Sequence, residues 1–281
     1  MTDLISVIVA TYNREDALST VLRSLACQSD RDFEVLVADD GSSVATARVV
    51  SDWATRMPVR VRHVWHPDQG FRLAEIRNRA IRASAGAYCV FLDGDCITRS
   101  DFVAAHRRLA EPGWFVTGNR ILLSRELTER ILRAGLEPEQ WRLAEWLGER
   151  ARRQVNRFAP LLDLPLGGLR RLQARRWRGA RGSNMAFWRS DLDKVDGFDA
   201  AYSGWGREDS DIFVRMIRAG VLRKDGRFAT GVLHLWHAEA DRARLAENER
   251  MLADVTDGTR VRAKQGLSRV IEETSASIVH A

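Results

Sequence analysis

Apolar residues fall into two alternating rhythms over the first hundred positions. Residues 5–10 form a short β-branched run, and 33–38, 59–65 and 88–92 repeat it. Such runs, bounded by polar breaks, predict strands buried on both faces. Between them the spacing changes to threes and fours. Leu18, Val21, Leu22 and Leu25 share one helical face, as do Leu73, Ile76, Ala80 and Ile81, and a further helix is predicted over 43–57 with Val44, Ala47 and Trp53. Strand and helix alternate four times, which predicts an α/β fold: a mainly parallel sheet flanked by helices. Ligands of such sheets bind beyond the carboxyl ends of the strands. Those ends carry Thr11-Tyr12-Asn13-Arg14, Asp39-Asp40-Gly41-Ser42 and Asp93-Gly94-Asp95.

After a short strand over 114–116 the rhythm changes. Residues 123–181 are dense in arginine, leucine and tryptophan, and Pro160 and Pro165 break them into helical pieces. They are either a solvated helical insertion or a basic amphipathic surface for anionic lipid or a lipid-linked phosphate. A strand over 183–188 follows, with Ser190 as the N-cap of a short helix. Gly204-Trp205-Gly206-Arg207-Glu208-Asp209-Ser210-Asp211 then feeds a helix with Ile212, Met216 and Ile217 that ends at Gly220. A strand over 230–237 closes in His234-Leu235-Trp236-His237, and the chain beyond 256 reads as a loose helix or disordered. The expected organisation is 1–120 and 182–255 as two halves of one domain, 121–181 as the insertion and 256–281 as a tail.

Composition narrows this modestly. With 281 residues, 45% hydrophobic and 29% charged, the chain suffices for one α/β domain with an elaboration. No apolar run is long enough to cross a bilayer, and the start lacks the basic region and cleavage site of a signal peptide. A cytoplasmic location, extending to the inner face of the cell membrane, is expected. Cys27, Cys89 and Cys96 have no CxxC spacing, so a disulfide framework is not expected. The net charge of +6, overwhelmingly arginine, suits nucleic acid, anionic lipid or phosphorylated substrates alike. No GxGxxG follows the first strand and no GxxxxGK[ST] occurs, so any phosphates fall to a metal and to side chains.

Candidate chemistry gathers at the strand ends. Asp93 and Asp95 repel each other unless a cation lies beside them, and hard oxygens suit Mg²⁺ or Mn²⁺; an Asp-Gly turn is the simpler alternative. His234 and His237 fall on opposite faces of a continuous strand, so both serve one ion only if the chain turns there. Glu208, Asp209 and Asp211 favour the positive end of the following helix. Trp205, between two glycines beside those carboxylates, offers what a sugar ring needs: an apolar face next to hydrogen-bond acceptors.

The segments VIVATYNR, VADDGS, FLDGD, GWGREDSD and HLWH, in this order and at strand ends, resemble the inverting family 2 type glycosyltransferases of the GT-A fold. The later segments are similar to the galactosyltransferase-type region of bacterial capsule polymerases and β-1,4-galactosyltransferases. The resemblance covers residues 5–120 and 182–242 and leaves the arginine-rich middle outside. It implies a GT-A, Rossmann-like fold and transfer of a hexose from a UDP-sugar to a glycan or lipid-linked saccharide, with Mn²⁺ or Mg²⁺ as cofactor. Thr11, Tyr12, Asn13, Arg14, Asp39, Arg77, Asn78, Asp93 and Gly94 would serve the nucleotide sugar, Asp39 by accepting from the uracil imide. Asp95 and His237, with His234 beside them, would hold the metal. Trp205, Gly206 and Glu208 would meet the acceptor, and Asp209 would be the catalytic base. Three alternatives remain, one of them a divergent glycan-binding domain without catalysis, which would be expected to have lost Asp95 or Asp209. A sugar nucleotidyltransferase would carry a glycine- and lysine-rich loop after the first strand, which ATYNRED is not. A basic membrane or nucleic-acid adaptor would leave the strand-end acids without purpose, so no nucleic-acid partner is expected.

Overall fold

The computed structural model describes residues 3–239, 241–270 and the backbone of 278–279. Strands β1 (Ile5–Thr11), β2 (Phe33–Asp39), β3 (Val61–Trp65) and β4 (Tyr88–Asp93) run parallel in the order β3-β2-β1-β4. Their crossovers are helices α1 (Glu15–Ala26), α2 (Val44–Arg56) and α3 (Leu73–Ala83). The two-residue period of a strand divides the core between two faces. Val7, Val9, Val35, Val37, Val90 and Leu92 pack with α1, while Ile8, Leu36, Ala38, Cys89 and Phe91 pack with α3. The apolar runs are therefore buried on both sides, as their lack of polar alternation predicts.

The chain continues through β5 (Cys96–Ile97), α4 (Phe102–Leu109), β6 (Trp114–Thr117), β7 (Arg120–Leu122), α5 (Arg125–Ala134) and α6 (Leu143–Ala151). It ends with β8 (Asn184–Trp188), α7 (Arg189–Val195), α8 (Glu208–Arg218), β9 (Leu222–Asp225), β10 (Val232–His234), α9 (Leu245–Asp257) and β11 (Ile278–Val279). Strand β8 lies antiparallel between β4 and β6, β9 joins parallel to β6, and β11 lines the far edge antiparallel to β3. A second sheet of order β5-β10-β7 stands at the end of β4.

Several expectations are corrected. The strand over 230–237 shortens to β10 and belongs to the small sheet, because Leu235 and Trp236 donate instead to Asp95 O and Thr128 Oγ1. The arginine-rich stretch is α-helical only to Ala151; beyond it run short 3₁₀ turns, one of them enclosing Pro160. Ser190 lies inside α7, whose N-cap is Trp188. Residues 258–270 are docked rather than loose: Asp199 accepts from Lys264 N and Gln265 N, Arg260 pairs with Asp199 and Asp211, and Leu267 is buried. The rest of the predicted tail, apart from β11, lies outside the described residues.

Buried polar groups lock the elements that carry the site. Arg215 of α8 is fully enclosed; it pairs with Asp211 at 2.6 Å and donates to Val195 O and Gly197 O, so α8 is fixed against the end of α7. His106 of α4 is equally enclosed, with Nε2 3.2 Å from Asn184 Oδ1 and no partner for Nδ1 among the described residues. Burial pushes its pKa down to about 3. The unfolded chain therefore binds the proton first, and stability present above pH ~6.5 is lost as pH falls towards 3, by up to about 1.4 kcal/mol per unit. The His106→Gln variant, which keeps a donor for Asn184, is expected to lose less stability between pH 6.5 and 4 in urea titrations. Equal slopes for the two proteins would refute this role of His106.

Candidate active site

The end of β4 is shaped by one close backbone approach. Gly94 N–H donates to Ala10 O at 2.7 Å, and a Cβ on residue 94 would lie 2.7 Å from that same oxygen. Only glycine lets the Asp-Gly-Asp turn close against β1. Beyond it, Asp95 O accepts from Leu235 N at 2.9 Å, which draws the end of β10 over the turn. The chain leaves strand geometry at His234, and that release brings both imidazoles to one carboxylate. His237 Nε2 is 3.3 Å from Asp95 Oδ2, and His234 Nε2 is 3.6 Å from Asp95 Oδ1. One ligand atom from each of the three residues lies within 4.8 Å of the others. Burial lowers the His234 pKa against the opposing charge of Asp95, which favours the neutral ring that binds metals.

Asp93 has an oxygen within 4.8 Å of ligand atoms of Asp95 and Cys96, and it is also engaged by an arginine. Its Oδ1 meets Arg77 Nη2 at 3.1 Å, and the same guanidinium reaches Glu208 Oε1 at 3.3 Å and Gly182 O at 3.4 Å. Arg77 is buried and lies over the Phe198 ring, so it clamps the end of β4 to the start of α8. Burial raises the Asp93 pKa, Arg77 opposes the rise, and the charges of Asp95 and Asp209 add to it. Asp93, Asp95, Glu208 and Asp209 thus share one cleft.

The other wall is the start of α8. Gly204, Gly206 and Arg207 all take positive φ, at 73°, 103° and 81°. The two glycines adopt this without strain, whereas Arg207 is held there with its guanidinium 2.6 Å from Glu249. Trp205 projects from this loop, 39% exposed, with the Arg242 guanidinium 5.0 Å from its ring centroid. Glu208 is buried, and burial followed by the charge of Asp209 pushes its pKa up to about 7. Asp209 Oδ2 accepts from Gly182 N at 2.8 Å, and its Oδ1 accepts from Ser210 N and Oγ. A Cβ on residue 182 would sit 2.9 Å from Asp209 Cβ, so a glycine is required here as well.

The ends of β1 and β2 are less uniformly open. Thr11 Oγ1 is buried beside Gly94 and has no hydrogen-bond partner among the described residues. Tyr12 is exposed, and its hydroxyl donates to Asp68 at 2.9 Å. Asn13 stitches the strand ends together, accepting from Ser43 N and donating its own N–H to Ser42 Oγ, while Arg14 Nε pairs with Asp16. Asp39 is turned inward: its Oδ2 is 2.9 Å from His63 Nε2 and its Oδ1 accepts from Ser42 N. Asn78 lies away from the strand ends, with both amide atoms on the Phe198 backbone at 2.8 and 2.9 Å. Sequence reasoning missed His63, His66, which pairs with Asp40 at 2.7 Å, and Arg120, whose charge acts on Asp93 and His234. His63 is detectable in principle from the parallel pairing, since Val37 and His63 are in register two residues before Asp39.

The glycosyl transferase family 2 pattern matches residues 6–161, and that of the N-terminal domain of galactosyltransferase matches 173–237. The first match runs well past Arg120, so likeness extends into the arginine-rich stretch. The chain is 30% identical over 251 residues to validoxylamine A glucosyltransferase of Streptomyces hygroscopicus subsp. limoneus, covering 82% of this chain and 51% of that protein. It is 25% identical to chondroitin synthase of Escherichia coli, covering 78% and 33%. The chain thus spans about half or less of these curated relatives. Among solved structures, a mannosyltransferase of Pyrobaculum calidifontis in complex with GDP-Man and Mn²⁺ superposes with a TM-score of 0.62 at 20% identity, over 92% of this chain and 65% of that one. Staphylococcus aureus TarS in complex with UDP-GlcNAc superposes at 0.60 and 16% identity, over 89% and 66%. These likenesses carry the GT-A fold. With the family 2 pattern spanning more than half of its residues, the chain belongs to glycosyl transferase family 2.

Proposed function

We propose that this protein transfers a hexose from a UDP-sugar to a hydroxyl of a glycan or lipid-linked saccharide, with inversion at the anomeric carbon. The observation that carries the reading is the convergence of Asp95, His234 and His237 at the end of β4, facing a wall that holds Asp209. One carboxylate and two imidazoles suit Mn²⁺ better than Mg²⁺, which prefers an all-oxygen shell. The three residues would hold that ion, and when bound it supplies Lewis-acid charge to the departing diphosphate.

The chain's own groups account for the rest. Thr11 Oγ1, buried and without a partner among the described residues, offers a hydrogen bond to the donor, and the Tyr12 ring lies open for a nucleobase. Asp39 is reached by a base imide only through a lone pair left over from His63 and Ser42. Asp209, held by Gly182 N–H, takes the proton from the attacking hydroxyl, and a direct displacement then needs no enzyme nucleophile. Glu208 and Trp205 orient the acceptor sugar through a hydroxyl and an apolar ring face. Arg77 keeps Asp93 and Glu208 from repelling one another.

The donor site is tested by calorimetric titration of UDP and GDP with Mn²⁺ and with chelator. Mn²⁺-dependent binding of UDP is expected, weakened at least ~10-fold in Asp95→Ala. Metal-independent binding would overturn the metal set, and tighter binding of GDP would overturn the uridine assignment.

The base is tested separately. Asp209→Asn is expected to lower turnover by about 10²–10⁴ while UDP affinity stays near wild type. Wild-type turnover in that variant would remove Asp209 from the mechanism.

A further inference from the structure

Between Leu164 and Arg181 the chain carries six arginines and no acidic residue. Arg170 faces inward: it is buried and donates to Asp225 O, Arg227 O and Leu164 O, pinning the turn to the end of β9. Arg223 N donates to Ala174 O and its side chain to Arg176 O, so the segment is stitched down along its length. Its own bonds run three residues back, Leu169 N to Leu166 O, Leu172 N to Leu169 O and Ala174 N to Arg171 O. A three-residue period places Leu169, Leu172 and Arg175 in one row. The two leucines are 62% and 77% exposed, and Arg175, Arg176, Arg178 and Arg181 around them are exposed as well.

We infer that this row is a docking surface for an anionic lipid bilayer. Two leucines mounted on a fixed turn cannot fold back under the domain, and their burial in the acyl boundary removes apolar surface from water. The flanking guanidiniums meet lipid phosphates at the same depth, as snorkelling arginines do. A second copy of the chain fits poorly, because a two-fold contact would set arginines against arginines. A soluble glycan gives no use to exposed leucines. The segment leads through Arg181 directly to Gly182, whose N–H donates to Asp209, so the row and one wall of the cleft are joined by a single stretch of chain. The inference goes beyond the transfer reading and does not rest on it, since binding is measured without turnover.

The test is co-sedimentation with vesicles of equal phosphatidylglycerol and phosphatidylcholine, against phosphatidylcholine alone. Binding to the anionic vesicles that weakens with salt is expected. Leu169→Ser with Leu172→Ser should weaken it at least ~10-fold. Arg175→Gln with Arg178→Gln should weaken it about 30-fold, from ~1 kcal/mol for each arginine. Leu143→Ser with Leu147→Ser, on the exposed face of α6, should leave binding unchanged. Circular dichroism and UDP titration report whether each variant is folded. No vesicle binding, equal binding by the row variants, or loss only in the α6 variant would overturn the inference. A change in sedimentation mass on mutating the row, without vesicle binding, would assign it to self-association instead.

Discussion

Like charges crowd the cleft, and the rest of the site depends on how they are held. Asp93, Asp95, Glu208 and Asp209 converge from two distant parts of the chain, and among them burial and the neighbouring charges raise the pKa of Asp93 and Glu208. Arg77 is the buried cation that makes this tolerable, spanning Asp93 and Glu208 in a single side chain. Asp95 instead faces two imidazoles, which with it form a set of ligand atoms suited to a cation. A cleft that concentrates negative charge, with one buried arginine for balance, is suited to a cation and the phosphates that a cation binds.

Two glycines set the spacing that this balance requires. Gly94 permits contact with β1, and Gly182 permits contact with Asp209; a methyl group at either position would separate groups that must touch. Both act through close approach, and neither has a positive φ. Gly206 belongs to another type, supplying a left-handed turn so that Trp205 stands clear of α8. The Arg215–Asp211–Arg260–Asp199 network behind α8 then gives the loop a rigid base. Residues 258–270, polar and unpatterned, are ordered through these ion pairs and backbone contacts more than through apolar burial.

Much of this was legible in the residues themselves. The four parallel strands with three helical crossovers, the two-faced burial of those strands and the gathering of acids at their carboxyl ends follow from local periodicity, which strands and helices must obey wherever they sit. The Asp-Gly-Asp turn and the Gly-Trp-Gly-Arg-Glu-Asp segment stand at the ends of their elements, at positions the sequence marks with glycine. The arginine-rich stretch misled the helical reading, because beyond Ala151 its hydrogen bonds run to the preceding third residue and to β9.

Long-range pairing decided the remainder. No spacing rule says that His234 and His237 meet Asp95, because that depends on β10 pairing with β5 and β7 and then ending. Asn78 reads as a donor-site residue in sequence and is engaged by the Phe198 backbone in the fold; Asp39 reads as an open acceptor and lies against His63. Local pattern determines which elements form and which face of each is apolar, since these depend on neighbours a few residues away. Which carboxylate is clamped, which is free and which imidazole reaches it depend on tertiary contacts, sixteen residues apart for Arg77 and Asp93 and more than a hundred for Arg77 and Glu208 or Asp95 and His237, and only the packed structure specifies them.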